Sequence, residues 1–146
     1  MKPEKARAVS NGKTAPAPTD CPCGSARPYG ACCGALHRAF DESGVLAAPD
    51  ALALMRSRYS AYTMDLIPYL LASWHPSTRP ESLERGDPDL RWLGLDVRRH
   101  LRQDADHETV EFVARSKAGG RAQRMHETSR FVREHGVWLY VDGEIG

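Results

Sequence analysis

The chain has 146 residues, enough for one modest hydrophobic core and a small appendage. Its 20 Lys and Arg stand against 19 Asp and Glu, and the resulting formal charge of +1 lacks the basic excess of a dedicated nucleic-acid binder. No apolar run approaches the roughly 18 residues that a membrane-spanning helix requires.

Residues 1–19 mix Lys, Ala, Pro, Ser, Asn and Gly with almost no large apolar side chain, a composition that cannot offset the entropy of ordering. They are expected to form a mobile leader whose Lys2, Lys5, Arg7 and Lys13 could touch an acidic surface weakly. With no apolar stretch of the secretory type among them, the cytoplasm is the expected compartment.

All 4 cysteines follow at once, in Cys21-Pro22-Cys23 and Cys32-Cys33-Gly34. The stretch is too short to bury a core of its own, so something other than apolar packing must hold it. Consecutive Cα atoms lie about 3.8 Å apart, below the roughly 4.4 Å lower limit for an unstrained bridge, which rules out a Cys32–Cys33 disulfide. Bridges across the loop and free thiols remain as alternatives. Four thiolates suit a tetrahedral Zn²⁺ with Zn–S near 2.3 Å, which sets sulfurs about 3.8 Å apart. Such a site would carry a formal charge of −2 and be closed to substrate. Arg27 or Arg38 could then lie beside it, or simply be solvated.

Ala35 to Phe40 is expected as a short helix and Asp41 to Pro49 as a linker. Asp50 is a candidate N-cap for a helix over Ala51 to Thr63, in which Leu52, Met55, Tyr59 and Tyr62 recur on one face while Arg56, Ser57 and Ser60 point elsewhere. A second helix carries Tyr69, Leu70, Leu71 and Trp74 and ends near His75-Pro76. Thr78 to Glu81 fits a capping box opening a further helical turn. From Leu90 the period falls to two. Strands are expected over Trp92 to Arg99, with Leu93, Leu95 and Val97 on one face, and over Thr109 to Lys117, Arg121 to Arg133 and Val137 to Val141. Gly119-Gly120 and Glu134-His135-Gly136 supply turns, and connections this short make the strands antiparallel. The fold class is α+β, with helices on one face of a curved four-stranded sheet.

Tyr59, Tyr62, Trp74, His75, Trp92, Glu127 and Ser129 are the candidate pocket residues. His126 and Glu127 are neighbours on a strand and face opposite sides, so they cannot form an acid/base dyad in one pocket. Glu127, Ser129 and Phe131 share a face. If that face is the inner one, Glu127 is a general base or, more simply, the partner of Arg56 or Arg58. His75 before Pro76 reads as a pocket rim or a capping residue. The nucleophile-elbow, phosphate-loop and zinc-protease patterns are all absent.

Cys-Pro-Cys-Gly-Ser followed by Tyr29 and Cys32-Cys33-Gly34 resembles the SEC-C module, the small zinc-binding motif found at the C-terminus of the SecA translocation ATPase. The resemblance implies Cys21, Cys23, Cys32 and Cys33 as zinc ligands, although modules of that type often carry Cys-His at the second pair, which leaves His37 as a distant rival. It also implies a contact surface around Ser25 to Ala31, with Arg27 and Tyr29 reaching out or Tyr29 packing over the loop. The runs Leu54 to Tyr62, Trp74 to Pro80 and Phe131 to Trp138 are similar to the YchJ-like family of uncharacterised bacterial proteins, which implies a nuclear-transport-factor-2-like cone over residues 50–146. The expected organisation is a leader at 1–19, a zinc module at 20–40 and that domain.

The expected function is that of a non-catalytic zinc protein whose module contacts a protein or ribonucleoprotein partner. The alternative is a small-molecule binder or enzyme acting in the cone, with zinc only as a staple. Nucleic-acid association would need a continuous surface from Arg56, Arg58, Arg98, Arg99 and Arg102.

Overall fold

The computed structural model describes residues 20–146, so the expected leader and its basic residues lie outside the described part. A 3-10 turn at Tyr29–Ala31 leads into α1 (Cys33–Ser43), α2 (Ala51–Thr63) and α3 (Ile67–Ala72). Four strands follow: β1 (Arg91–Asp104), β2 (His107–Ala118), β3 (Arg121–Glu134) and β4 (Val137–Ile145). They form one antiparallel sheet in the order β1-β2-β3-β4. The α+β arrangement of helices on an open sheet is therefore the one expected.

All three hairpins turn through two residues, and two of them do so with positive φ at both. Gly119 and Gly120 have φ of 58° and 79°, and His135 and Gly136 have φ of 53° and 79°. Positive φ at both central positions is the tight turn whose twist matches that of the flanking strands, and glycine enters it without a steric penalty.

The central element is α2, which touches α1, α3, β1, β2 and β4. Its start is fixed twice. Asp50 Oδ1 accepts from the Ala53 N–H at 2.8 Å, and Glu108 Oε1 on β2 accepts from the Ala51 N–H at 3.1 Å. Met55 and Tyr59 are buried as the periodicity requires, but Tyr62 is 37% exposed, and Ser57, Arg58 and Ser60 are buried as well. The helix is enclosed on several sides, and small serines let neighbouring backbone approach. Ser57 Oγ donates to the Leu54 carbonyl at 2.7 Å and meets Tyr69 Oη at 2.6 Å.

Four expectations are corrected. First, α1 runs to Ser43 rather than Phe40, closed by Gly44 in the left-handed conformation, so its last turn takes up the start of the expected linker. Second, α3 ends at Ala72, and Trp74 instead bridges to Tyr140 on β4. Third, the helical turn at Thr78 to Glu81 does not form. The Thr78 hydroxyl that would cap it donates to the Val141 carbonyl at 2.5 Å, and Pro80 disfavours helical backbone at Arg79.

The fourth correction is to β1, which is longer than expected and has register shifts after Trp92, Val97 and Arg102. The first shift makes Leu93 an extra residue, 54% exposed, and brings Trp92 onto the core side with Leu95 and Val97. A similar shift in β4, where Arg130 faces Asp142 and Phe131 faces Tyr140, carries that strand on to Ile145.

Candidate metal centre and cone cavity

The Cys21–Cys33 segment folds back on itself because its backbone bonds close locally. The Cys21 N–H donates to the Arg27 carbonyl at 2.9 Å, the Gly24 N–H to the Cys21 carbonyl at 3.2 Å, and the Cys32 N–H to the Tyr29 carbonyl at 3.0 Å. Ala26 and Gly24 adopt positive φ to make the reversal. The result brings the Sγ atoms of Cys21, Cys23, Cys32 and Cys33 within 4.8 Å of one another. Cys23 and Cys32 Sγ are 3.6 Å apart, near the roughly 3.8 Å edge of a tetrahedral four-sulfur site. All are free cysteines, and all but Cys32 are buried.

Hydroxyls sit against the sulfurs. Ser25 Oγ is 3.2 Å from Cys32 Sγ and Ser60 Oγ is 3.5 Å from Cys21 Sγ. Neither arginine considered for this place is there: Arg27 donates to the Ala31 carbonyl, and Arg38 to the Gly30 carbonyl at 3.4 Å. Both brace the loop from outside.

Hydrogen bonding from the Cys33 thiol draws Cys23 down to about 4, while the same bond, with burial, pushes Cys33 up. Burial also pushes Cys32 up. Thiolate character at one sulfur thus comes at the expense of its neighbours. A divalent cation would remove that conflict, and the soft all-sulfur donor set fits zinc or iron rather than magnesium or calcium.

His37, the rival ligand, is engaged elsewhere. Its Nδ1 meets Tyr29 Oη at 2.7 Å and its Nε2 meets the Ser57 carbonyl at 2.9 Å. Tyr29 accordingly packs inward, its ring over Gly34, where an added Cβ would lie 2.6 Å from the Tyr29 carbonyl oxygen. Arg56 Nη1 donates to the Cys23 carbonyl at 2.7 Å. Through Arg56, Ser57 and Ser60 the cysteine loop is seated directly on α2, and Cys21, Cys23 and Cys33 belong to the same core cluster as Leu54, Met55 and Phe131.

On the far side of α2 the helices and sheet enclose a cavity of about 370 Å³. Tyr59, Tyr62, Trp92, Glu127 and Ser129 line it, together with Arg58, Phe112 and Tyr140. Trp74 and His75 do not. Trp74 stands behind Tyr140, ring centroids 5.1 Å apart, and its Nε1 is buried with no hydrogen-bond partner among the described residues. His75 pins its loop to the sheet, with Nε2 2.9 Å from Glu134 Oε2 and Nδ1 2.8 Å from Ser77 Oγ.

Strand alternation places Glu127 inside and His126 outside, where His126 Nε2 meets Glu111 Oε2 at 2.7 Å. Glu127 Oε2 accepts from Ser129 Oγ at 2.5 Å and from Tyr140 Oη at 3.5 Å. The expected ion pair with Arg56 or Arg58 is not made. Arg58 Nη1 donates to the Leu70 carbonyl at 2.8 Å and to Ser73 Oγ at 2.6 Å, at the C-terminal end of α3 where a cation is favoured. Its guanidinium carbon lies 4.5 Å from the Tyr140 ring centroid and 4.9 Å from that of Trp74. Burial pushes the Tyr140 phenol up to about 12, so it stays protonated.

Sequence reasoning named Arg58 only as an ion-pair partner for Glu127, and missed Tyr140 as the link between the two and the two serines beside the sulfurs. The alternation of β3 pointed to Phe131, and Tyr140 pairs with it in the regular register that runs from the His135-Gly136 turn, before the β4 shift at Val141. Because Arg58 is buried and Arg56 is turned toward the cysteine loop, neither joins Arg98, Arg99 and Arg102 in a continuous basic surface.

Residues 50–143 match the family model described as the YchJ middle NTF2-like domain, and residues 20–35 match that of the SEC-C motif. A UPF0225 protein of Bordetella pertussis is 52% identical over 133 residues, 91% of this chain and 98% of that protein. One from Ralstonia nicotianae is 56% identical over 143 residues, 90% and 95% of the two chains. Among solved structures, a SEC-C motif containing protein from Rhodopseudomonas palustris superposes with a TM-score of 0.71 at 32% identity, covering 86% of this chain and 97% of that one. A second, from Psychrobacter arcticus, gives 0.70 at 25% identity, covering 88% and 84%. Among the described residues no helix is long and apolar enough to cross a membrane. With its cysteine loop seated on the helix that also walls the cavity, the chain belongs to the YchJ-like family of NTF2-like proteins carrying a SEC-C motif.

Proposed function

We propose that Cys21, Cys23, Cys32 and Cys33 hold one zinc ion in a closed, structural site, and that the exposed rim of the loop is a contact surface for a protein or ribonucleoprotein partner. The observation that carries the metal assignment is the gathering of four sulfurs within 4.8 Å, three of them buried. A four-sulfur tetrahedron leaves no position for water or substrate, which argues for a fold-stabilising and not a catalytic metal. The contact role is supported by the exposure of Pro22, Ala26, Arg27, Pro28, Gly30 and Ala31 on one small rigid loop. Tyr29 is half-buried, with its hydroxyl on His37 Nδ1, so Arg27 is the side chain that reaches out from that surface.

Elemental analysis of the purified protein should find about one zinc per chain, as a closed four-sulfur site requires. Cys33→Ser should lose the metal, and a full equivalent retained in the variant would overturn the assignment. Iron in place of zinc, with visible absorbance, would overturn the identity of the metal alone. For the contact surface, crosslinking capture should compare wild type with Arg27→Glu/Ala31→Glu at equal zinc content. Identical captured sets would remove the partner role.

A further inference from the structure

The cavity on the other side of α2 has a chemistry that the metal site does not use. Arg58 is only 5% exposed and lines the cavity, yet hydrogen bonds engage only its Nη1. Its Nε and Nη2 groups have no partner among the described residues. They are not among the sealed, unpaired polar atoms, so they are open to water, and their planar fork suits a carboxylate that could take that water's place. The facing wall carries the opposite charge. Glu127 spends one oxygen, Oε2, on Ser129 and Tyr140 and leaves Oε1 free. Tyr140 spans the two, its ring against the Arg58 guanidinium and its hydroxyl on the Glu127 carboxylate. Around these two groups Tyr59, Trp92 and Phe112 offer apolar and aromatic surface, and Asp65 and Glu84 add two further carboxylates to the lining.

We propose that this cavity binds a small zwitterion with an apolar or aromatic body, of the α-amino-acid class, its carboxylate on the free edge of Arg58 and its ammonium on Glu127. A lone anion would satisfy Arg58 but lie beside the Glu127 carboxylate, and a lone cation would meet the reverse conflict. A zwitterion pairs both charges, and its side chain replaces cavity water against the rings. The reading is independent of the metal assignment, because none of the cavity residues is a sulfur ligand.

Calorimetric titration of the full-length, zinc-loaded protein should use three probes of one shape: L-phenylalanine, 3-phenylpropionate and phenethylamine. L-phenylalanine should bind at least about tenfold more tightly than either half-charged analogue, the factor expected of one charge-assisted hydrogen bond. Glu127→Gln keeps the shape of the side chain. It should lower affinity for L-phenylalanine and phenethylamine about tenfold while leaving 3-phenylpropionate as tight or tighter. Arg58 supports α3, so its substitution risks the fold; the wild-type ranking stands without it. Equal affinity for a half-charged analogue, or no saturable heat from L-phenylalanine at millimolar concentration, would overturn the proposal.

Discussion

At the scale of single residues, two contacts decide what this chain can tolerate. Gly143 on β4 faces Glu127, and a Cβ there would lie 2.2 Å from Glu127 Oε2. Gly143→Ala must therefore swing the carboxylate away from Ser129 and Tyr140. Because the end of a flexible side chain can give way, the cost is that of the displaced hydrogen bonds, about 0.5–1.5 kcal/mol, to be read from urea unfolding, and cavity binding should weaken in the same variant. The second contact is the line from Tyr29 through His37 to Ser57, which joins the cysteine loop, α1 and α2 by two hydrogen bonds. Tyr29→Phe removes one of them and should cost about 0.5–1.5 kcal/mol without altering zinc content. If zinc content falls with it, Tyr29 shapes the sulfur site as well as the packing of α1 on α2.

At the scale of elements, the start of α2 depends on a carboxylate from another part of the chain. Glu108 is 1% exposed and accepts from the Ala51 N–H, from His100 Nε2 at 2.7 Å and from Arg102 Nε at 3.4 Å. Burial alone would raise its pKa, but His100 and the Ala51 amide outweigh that and hold it below the usual value. A depressed carboxyl contributes stability that is present above its unfolded pKa, about 4.3, and is lost as pH falls through the folded value. His37 acts in the same direction. Burial lowers its pKa, so its contribution is full above about 6.5 and is lost on acidification below that. Unfolding free energy should decline from about pH 6.5 downward and more steeply below about pH 4.5. Glu108→Gln should flatten the lower segment only; an unchanged slope there would show that another group carries it.

These elements also show how far local chemistry reaches. The cap at Asp50, the three-and-four spacing of Met55 and Tyr59, and the Gly119-Gly120 and His135-Gly136 turns are local signals, and α2 and those hairpins follow from them. The clustering of the four cysteines was legible for the same reason. A register shift is different: one unpaired residue at Leu93 reverses which side chains face inward, and no local pattern announces it. Arg58 was harder still, because a buried arginine takes its sense from Leu70, Ser73 and Tyr140, the last on the final strand. The missing turn at Thr78 shows a strong local signal overridden by a single bond to Val141.

At the scale of the whole molecule, the cysteine loop is part of the main core and not a separate appendage. A structural zinc contributes on the order of 10 kcal/mol in isolated zinc-binding peptides, comparable with the whole stability of a small domain. Removing the proposed zinc with a strong chelator should therefore lower the melting temperature of the entire chain as one transition. A loop that melts alone, with the sheet unaffected, would mean that the contacts of Arg56 and Ser60 couple the two only weakly.

The two margins of the sheet meet their surroundings differently. β4 has a neighbour in the Trp74 bridge, whereas β1 pairs with β2 alone among the described strands. The cysteine loop lies beside the first half of β1, where a Cβ on Gly24 would be 3.3 Å from the Leu95 carbonyl oxygen, and from Arg98 on its residues are exposed. That margin is broken by three irregularities and carries exposed Arg98, Arg99 and Arg102. An extended, flat, apolar border would template strand addition by another chain and lead toward fibrils; kinks and like charges oppose it. Such a border disfavours edge-to-edge association of one copy with another.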